Sequence, residues 1–516
     1  MSALLTAFFE VMAMLLCSYH FVAPLRFKHS ISSNLGPFHQ RLTVARPGNP
    51  SSPLDTVLDL RLALMQSIPT DLEQALYDVS TPPSANYRKY LTKEAAEFVS
   101  PAAESLAAVN NWLQANNIDA TVLTPASDWI GFSIPVSQEN DLFDSEFSTF
   151  VHSASGARSI RTLAYSIPWE LHGHLDFVHP TITFVVATLR HSSPYCVYQV
   201  DSVCEETLDK AQSNQLAVTG FNNQYANLDD LASTTAFSLQ TFDGGANEQT
   251  PGSAGGEADL DIRYTVGLAT DVSITFLSVG LQNSDGLASF LDVVNYFLSA
   301  DTPRQLGARG VSLLFSSGDG GVAGVKFGGE DCYDFLPTFP SGCPYVTSVG
   351  ATQGVGPEPA ARYSSGDFSN TFPTPSYQIT ATAGYVQGLG STYSGLYNPP
   401  GCGFPDVSAQ GTNFQIVQNG EIDGEEGTSA ASPTFASVIA LLNNELELAG
   451  HRPLCLLNPW LYGSAASALN AITTGSNPGC GTNGFLLSRG LRLAGIRCVT
   501  GIGMPDYAKL RTAAGL

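Results

Sequence analysis

Basic residues are scarce in this chain: 23 Lys and Arg stand against 46 Asp and Glu in 516 residues, a formal net charge of −23. No long basic run occurs, which argues against nucleic acid as a partner, because phosphate binding needs clustered Lys and Arg. Charge of either sign is thin, at 13% of residues, while 43% are hydrophobic. That balance supports a large buried core and argues against wholesale disorder. After the first 25 residues no stretch is long and apolar enough to span a bilayer. No CxxC pair suggests a zinc site, and no Asn-x-Ser/Thr sequon with a permitted middle residue is present. A surplus of carboxylates suits a protein working in acid, where much of that charge is neutralised; a surface with a simple sign bias reads the same way.

Residues 1–25 are mostly apolar and read as a secretory signal, although Glu10 interrupts the run and no Lys or Arg precedes it. Nine cysteines occur. Cys17 would leave with the signal, and the remaining eight fit a few disulfides in an oxidising compartment, with pairing left open. Residues 25–55 are loop-like. Thr56 to Met65 and Trp129 to Val136 read as strands, as does Phe147 to Val151; Asp71 to Val79 reads as a helix. A second helix is expected to start at Ser100-Pro101, with Ser as N-cap and Pro at the first helical position. This is a mixed α+β domain. From about Ser192 glycine becomes frequent, and short apolar runs look like strands buried on both faces: Leu216 to Val218, Ile274 to Leu277, Val311 to Phe315 and Tyr345 to Val349. Helical patterns lie between or after them at Ala258 to Ala269, Leu287 to Leu298 and Ser432 to Leu448. Alternation of this kind predicts an α/β architecture, a parallel sheet with helices on both faces. In such sheets reactive residues gather beyond the carboxyl ends of the strands.

Three constellations could carry chemistry. In Gly427-Thr428-Ser429-Ala430-Ala431-Ser432-Pro433 a small-residue turn leads into a long helix, with Pro433 expected in its first turn. Ser429 would sit at the helix N-terminus, where the dipole favours negative charge developing beside it. Alone, such a serine is an ordinary cap. In Glu257-Ala258-Asp259-Leu260-Asp261, Glu257 and Asp261 are four residues apart, so on a helix both project from one face. Two adjacent carboxylates repel, so one tends to hold a proton, and the pair can take a proton from a serine hydroxyl. Asp259 points elsewhere and reads as a solvated acid in the first helical turn. In Ser316-Ser317-Gly318-Asp319-Gly320-Gly321, Asp319 lies just past an apolar strand in a glycine-rich turn. It is either a turn aspartate or a protonated carboxyl that donates to an oxyanion.

These stretches occur together with Phe339 to Thr352, Phe404 to Gly411 and, upstream, Val79 to Tyr87, Tyr90-Leu91-Thr92 and Val109 to Leu113. In that order they resemble the sedolisins, serine-carboxyl peptidases with a subtilisin-like fold, and specifically the fungal tripeptidyl-peptidase-like members. The resemblance spans roughly residues 54–516. It implies an α+β pro-domain at 26–190, acting as an intramolecular partner and removed near His191 to Cys196, and a catalytic domain at 191–516. It further implies a triad of Ser429, Glu257 and Asp261, with Asp319 in the oxyanion hole. Polypeptides are the expected substrates, with tripeptide release from free N-termini favoured over endopeptidase cleavage. A secreted, monomeric enzyme is expected.

The chain departs from the family pattern in three places. Between the helix near Leu298 and Gln305 to Gly310 about one strand and one helix are missing, which would leave neighbouring strands with unpaired backbone groups. Residues 196–213 lack part of the family's stretch around Cys204. The family's calcium site maps to the backbone carbonyls of Ile472 and Gly495, but Ala471 and Arg497 stand where it has acids, so tight calcium binding is not expected. The competing reading is a catalytically impaired relative that at most binds peptides. An ordinary Ser-His-Asp subtilisin is weaker, since His172-Gly173-His174 falls in the presumed pro-domain as a turn. A two-carboxylate glycosidase leaves the Gly-Thr-Ser segment idle.

Overall fold

The computed structural model describes residues 28–30, 42–44, 53–67, 69–91, 100–124, 126–152, 158–181, 196–201, 214–221, 224–231, 237–250, 252–280, 310–324, 332–487 and 496–516. The expected signal segment and the helix at Leu287 to Leu298 lie outside these residues. So do residues 191–195 of the expected processing region and the suspected deletion near 298–306. The chain divides into two compact units. One is built from residues 1–73, 93–190 and 281–305, the other from 74–92, 191–280 and 306–516.

In the first unit, strand β1 (Val57–Leu64), helix α1 (Ala103–Ala115), β2 (Ala120–Val122), β3 (Trp129–Pro135), helix α2 (Val136–Phe143) and β4 (Leu175–His179) follow in chain order. The strands form an antiparallel sheet in the order β2-β3-β1-β4. Alternation along β1 turns Leu60, Leu62 and Leu64 to one face, where they pack with Val109, Trp112 and Leu113 of α1. The start of α1 differs from expectation. Its N-cap position is Ala102, with no side-chain cap. Ser100 and Pro101 are instead held in an extended pairing, where the Ser100 carbonyl accepts the Ser67 amide and Pro101 bridges Gln66. The His172 to His174 segment is a turn, as expected. The His174 amide donates to the Leu171 carbonyl, and its Nδ1 lies 3.0 Å from the Ser105 hydroxyl.

The second unit is built on a seven-stranded sheet. Its strands are β5 (Cys196–Asp201), β6 (Asn214–Gly220), β7 (Ser238–Phe242), β8 (Ser273–Val279), β9 (Ser312–Ser316), β10 (Thr347–Thr352) and β11 (Val407–Gln410). They lie in the order β7-β8-β6-β5-β9-β10-β11. The pairs β7/β8, β6/β8, β9/β10 and β10/β11 are parallel. The four apolar runs all become strands of this sheet, because segments buried on both faces need no alternation. Among the described strands of this parallel sheet, β5 alone runs the other way. It lies between β6 and β9 and runs antiparallel to both, with Tyr198 opposite Ala217 on one side and Leu313 on the other. The ladder groups of β6 and β9 are thereby paired.

Helix α3 (Gly256–Leu268) follows β7, and helix α4 (Thr428–Leu448) follows the hairpin of β12 (Phe414–Gln418) and β13 (Glu421–Glu425). Helix α4 is buried along most of its length: Ala431, Phe435, Ile439, Leu442 and Leu446 join the core cluster that includes Leu216, Phe276 and Val349. It begins at Thr428, four residues earlier than the apolar pattern suggested. Pro433 is therefore inside the helix, beyond its first turn. A proline there supplies no N–H, so the Ser429 carbonyl loses its i+4 donor. Among the described residues one disulfide joins Cys332 to Cys480, while the thiols of Cys343, Cys402, Cys455 and Cys498 are buried. No described helix is long and apolar enough to cross a membrane.

Candidate active site

Glu257, Asp261, Asp319 and Ser429 all belong to the second unit, and the structure brings them together. Glu257 is in the first turn of α3 and Asp261 one turn further on. Asp261 is 1% exposed and Ser429 5% exposed. Burial pushes the Glu257 carboxyl well above the ordinary range, and the neighbouring Asp261 adds to this. The Ser429 side chain beside it pulls the other way, while Asp319 and Glu425 raise it further. Burial likewise raises Asp261. Two carboxyls this close and this buried do not both ionise readily, so a shared proton is the favoured state.

Asp319 follows the carboxyl end of β9 by three residues. Its Oδ1 accepts the Thr428 amide at 2.7 Å and the Thr428 hydroxyl at 3.0 Å. The Thr428 hydroxyl in turn accepts the Gly318 amide at 3.0 Å. Burial lifts the Asp319 carboxyl to about 6 against the lowering effect of both Thr428 contacts, and Glu426 contributes to the rise. Gly427 has φ +154, and a Cβ there would stand 3.2 Å from Asp319 Oδ2. Glycine thus lets the chain turn into α4 hard against that oxygen. Tyr363 closes the far side: its hydroxyl donates to the Gly411 carbonyl at 2.6 Å, and the Gly427 amide donates to the same carbonyl at 2.8 Å.

Several residues here were missed or misread in the sequence. Thr428 was passed over as part of a cap, yet it ties Asp319 to the nucleophile helix. Asp259 is corrected outright: it is 1% exposed, not solvated. Its Oδ1 accepts the Asn227 amide at 2.8 Å. The physical reason is that Ala258, Asp259, Leu260, Asp261 and Ile262 are all buried, so the start of α3 has no solvent face. The signal for the β12–β13 hairpin was Asn419-Gly420, both residues having positive φ, as a two-residue hairpin turn of the I′ kind requires.

The calcium expectation can be tested against the residues present. Ile472 is buried at 6% exposure, and Gly495 lies outside the described residues. Ala471 offers no side-chain oxygen. Arg497 is 8% exposed, and its carbonyl already accepts the amides of Val499, Thr500 and Gly501. Burial disfavours the Arg497 charge, with Tyr385 beside it working the other way. Calcium needs several oxygens, with carboxylates to balance its charge. Ala471 and a buried guanidinium do not fit it.

A serine in the first turn of a helix, beside one carboxyl that is backed by a second, is an arrangement in which a carboxyl rather than an imidazole could serve a serine nucleophile as base. Comparison with known proteins agrees. Residues 48–184 match the pro-kumamolisin activation domain. The chain is 30% identical to the probable tripeptidyl-peptidase SED2 of Arthroderma benhamiae, over 88% of this chain and 91% of that protein. It is 31% identical to the probable tripeptidyl-peptidase SED4 of Trichophyton verrucosum, over 88% and 90%. A solved Pseudomonas sedolisin, a serine-carboxyl proteinase, aligns with 60% of this chain and 93% of its own, at 20% identity and a TM-score of 0.44. The chain belongs to the sedolisin family of serine-type peptidases, among its fungal tripeptidyl-peptidase-like members, and carries the family's activation domain.

Proposed function

We propose that this protein is a secreted, acid-acting peptidase that releases tripeptides from the N-termini of polypeptides through an acyl-enzyme on Ser429. The observation that carries this reading is the placement of Ser429, in the first turn of α4, beside the carboxyl of Glu257, with Asp261 next to Glu257. The pair shares one proton, and Glu257 acts as base in the form in which that proton lies on Asp261. The Ser429 hydroxyl attacks the scissile carbonyl and its proton passes to Glu257. Negative charge collects on the carbonyl oxygen, where Asp319 donates its own proton in a hydrogen bond. Collapse expels the amine, which takes the proton from Glu257. Water then enters, gives its proton to Glu257, and attacks the ester; Ser429 leaves and recovers that proton. The names of the relatives support tripeptide release. The pro-domain would act as partner of the catalytic domain until removed.

A second reading, an impaired relative that at most binds peptides, is favoured by Arg497 and Ala471 at the family's calcium positions. One experiment separates the two. Processed protein is assayed on a peptide with a free N-terminus and on the same peptide acetylated, at pH 3 to 7, beside Ser429→Ala. Tripeptide release from the free peptide alone, lost by roughly six orders of magnitude in Ser429→Ala, is the expected result. Equal rates for wild type and Ser429→Ala would establish the impaired relative.

A further inference from the structure

Two carboxylates outside the reacting set connect the helix that carries the base to the hairpin that delivers the nucleophile. On one side, Asp259 lies in the first turn of α3, between Glu257 and Asp261, and its Oδ1 accepts the Asn227 amide at 2.8 Å. On the other side, Asp230 receives the tip of the β12–β13 hairpin: its Oδ2 accepts the Asn419 amide and its Oδ1 the Gly420 amide, each at 2.7 Å. Between them is one tight turn, in which the Asp230 amide donates to the Asn227 carbonyl and the Asp229 amide donates to the Asn227 side chain at 3.0 Å. Asp230 is 5% exposed and Asn227 5% exposed. From the tip, β13 runs straight into Glu426, Gly427 and Thr428, the residues that seat Asp319 and open α4.

We infer that Asp259 and Asp230 are positioning residues, a brace through the 227–230 turn that sets the register between Glu257 and Ser429. This rests on the peptidase reading above for its catalytic consequence. Strand β12 has ties of its own: near its start Tyr264 of α3 donates to the Gln415 carbonyl and accepts the Gln415 amide, and beside the tip Gln418 donates to the Ala254 carbonyl, just before α3, at 3.0 Å. Those ties fix the strand β12 that enters the hairpin. The tip, from which the chain returns towards the nucleophile, is fixed by Asp230. A hinge at the tip would let β13 and the first turn of α4 shift against α3, and a displacement near 1 Å can cost on the order of 100-fold in turnover. The side chain at 259 needs to accept one amide, which a neutral carboxyl still does through its carbonyl oxygen, though more weakly than a carboxylate. Burial raises the Asp259 carboxyl to about 7; Asp230 adds to that, while the Asn227 amide and Arg263 oppose it. The brace therefore stays assembled with Asp259 protonated in acid.

The test has an arm that needs no activity. In Ser429→Ala protein, amide hydrogen exchange at Asn227, Asn419 and Gly420 is compared with that of the same protein carrying Asp259→Ala or Asp259→Asn. Faster exchange at all three positions in Asp259→Ala, and none in Asp259→Asn, is expected. Unchanged exchange at Asn419 and Gly420 in Asp259→Ala overturns the brace. If Asp259→Ala does not fold, Asp230→Asn, which keeps one acceptor oxygen, is expected to speed exchange at one tip amide and at Asn227; change at the tip alone overturns the brace. The second arm measures kcat per active site counted from the acyl-enzyme burst. Asp259→Ala and Asp230→Ala are each expected to fall about 10- to 100-fold with KM little changed, and the double variant to fall no further than the worse single one. A wild-type kcat per counted site in either single variant overturns the catalytic role. Absence of any Ser429-dependent turnover in the parent enzyme would overturn the peptidase reading, and the exchange arm would still decide the brace.

Discussion

The tightest constraint at the scale of single residues falls on Asp319. Its Oδ1 is taken by the Thr428 amide and hydroxyl, so the proton it must hold belongs on Oδ2, the oxygen that faces Gly427. A carboxyl raised to about 6 keeps that proton through the acid range and loses it above. Activity that needs the donor should therefore fall as pH rises through about 6. Asp319→Asn keeps an acceptor for Thr428 and an N–H donor that does not titrate. Its kcat/KM profile is expected to lose the falling limb near pH 6, while Asp319→Ala loses about 100- to 1,000-fold at every pH. A limb that persists in Asp319→Asn would put the titrating proton on another group. That Glu257, Asp261, Asp319 and Ser429 belong to one site was legible because their signals are local: a spacing of four on a helix, a glycine-rich turn after a strand, a small-residue turn before a helix. Thr428 and Asp259 were not, because their roles depend on which elements close over them. A first-turn aspartate normally faces water; this one is covered.

The element that the sequence hid is β5. In the sequence its six residues fall within the departure from the family pattern at 196–213, and sequence carries no mark of which gap in a sheet a segment will fill. The apolar strands around it were plain from composition, since β6, β8, β9 and β10 are buried on both faces. Strand β5 pairs on both sides, so a proline within it removes a ladder bond in the middle of the sheet. Tyr198→Pro is expected to cost about 2–4 kcal/mol in denaturant unfolding of the Ser429→Ala protein, the range for a lost bond that leaves a buried carbonyl unpaired. An unchanged midpoint would mean that these residues do not complete the sheet. The loop from Ile496 to Gly503 is the second element with an unusual load. Its turn is closed by the Arg497 carbonyl accepting three amides, a role that needs no metal. Chelator is accordingly expected to leave the melting temperature within about 1 °C, whereas removal of a ligand present at 100 times its Kd would forfeit about 2.7 kcal/mol. A fall of several degrees on chelation would show that calcium binds despite Arg497.

Over the whole molecule, buried carboxyls set how stability responds to pH. In the second unit burial raises Asp259 to about 7, Asp319 to about 6 and Asp406 to about 7. In the first unit burial raises Glu139 to about 8 and Asp176 to about 6. Each of these groups holds its proton in the folded state over a range where the unfolded chain, titrating near 4, has released it. Their contribution to stability is complete below about pH 4 and is lost as pH rises through the folded values, between about 6 and 8. Each adds about 1.4 kcal/mol per pH unit to the slope over its own window. The formal charge of −23, reached as the surface acids ionise, pushes in the same direction through self-repulsion. An ordinary protein with salt-bridged acids behaves oppositely, gaining stability from pH 4 to 6. Calorimetry of the Ser429→Ala protein, which cannot digest itself, is therefore expected to give its highest melting temperature near pH 4 to 5 and a steady fall towards pH 8. A melting temperature that rises over that interval would mean that these carboxyls are ionised in the folded state, and with it the acid range assigned to Asp319 would have to be abandoned.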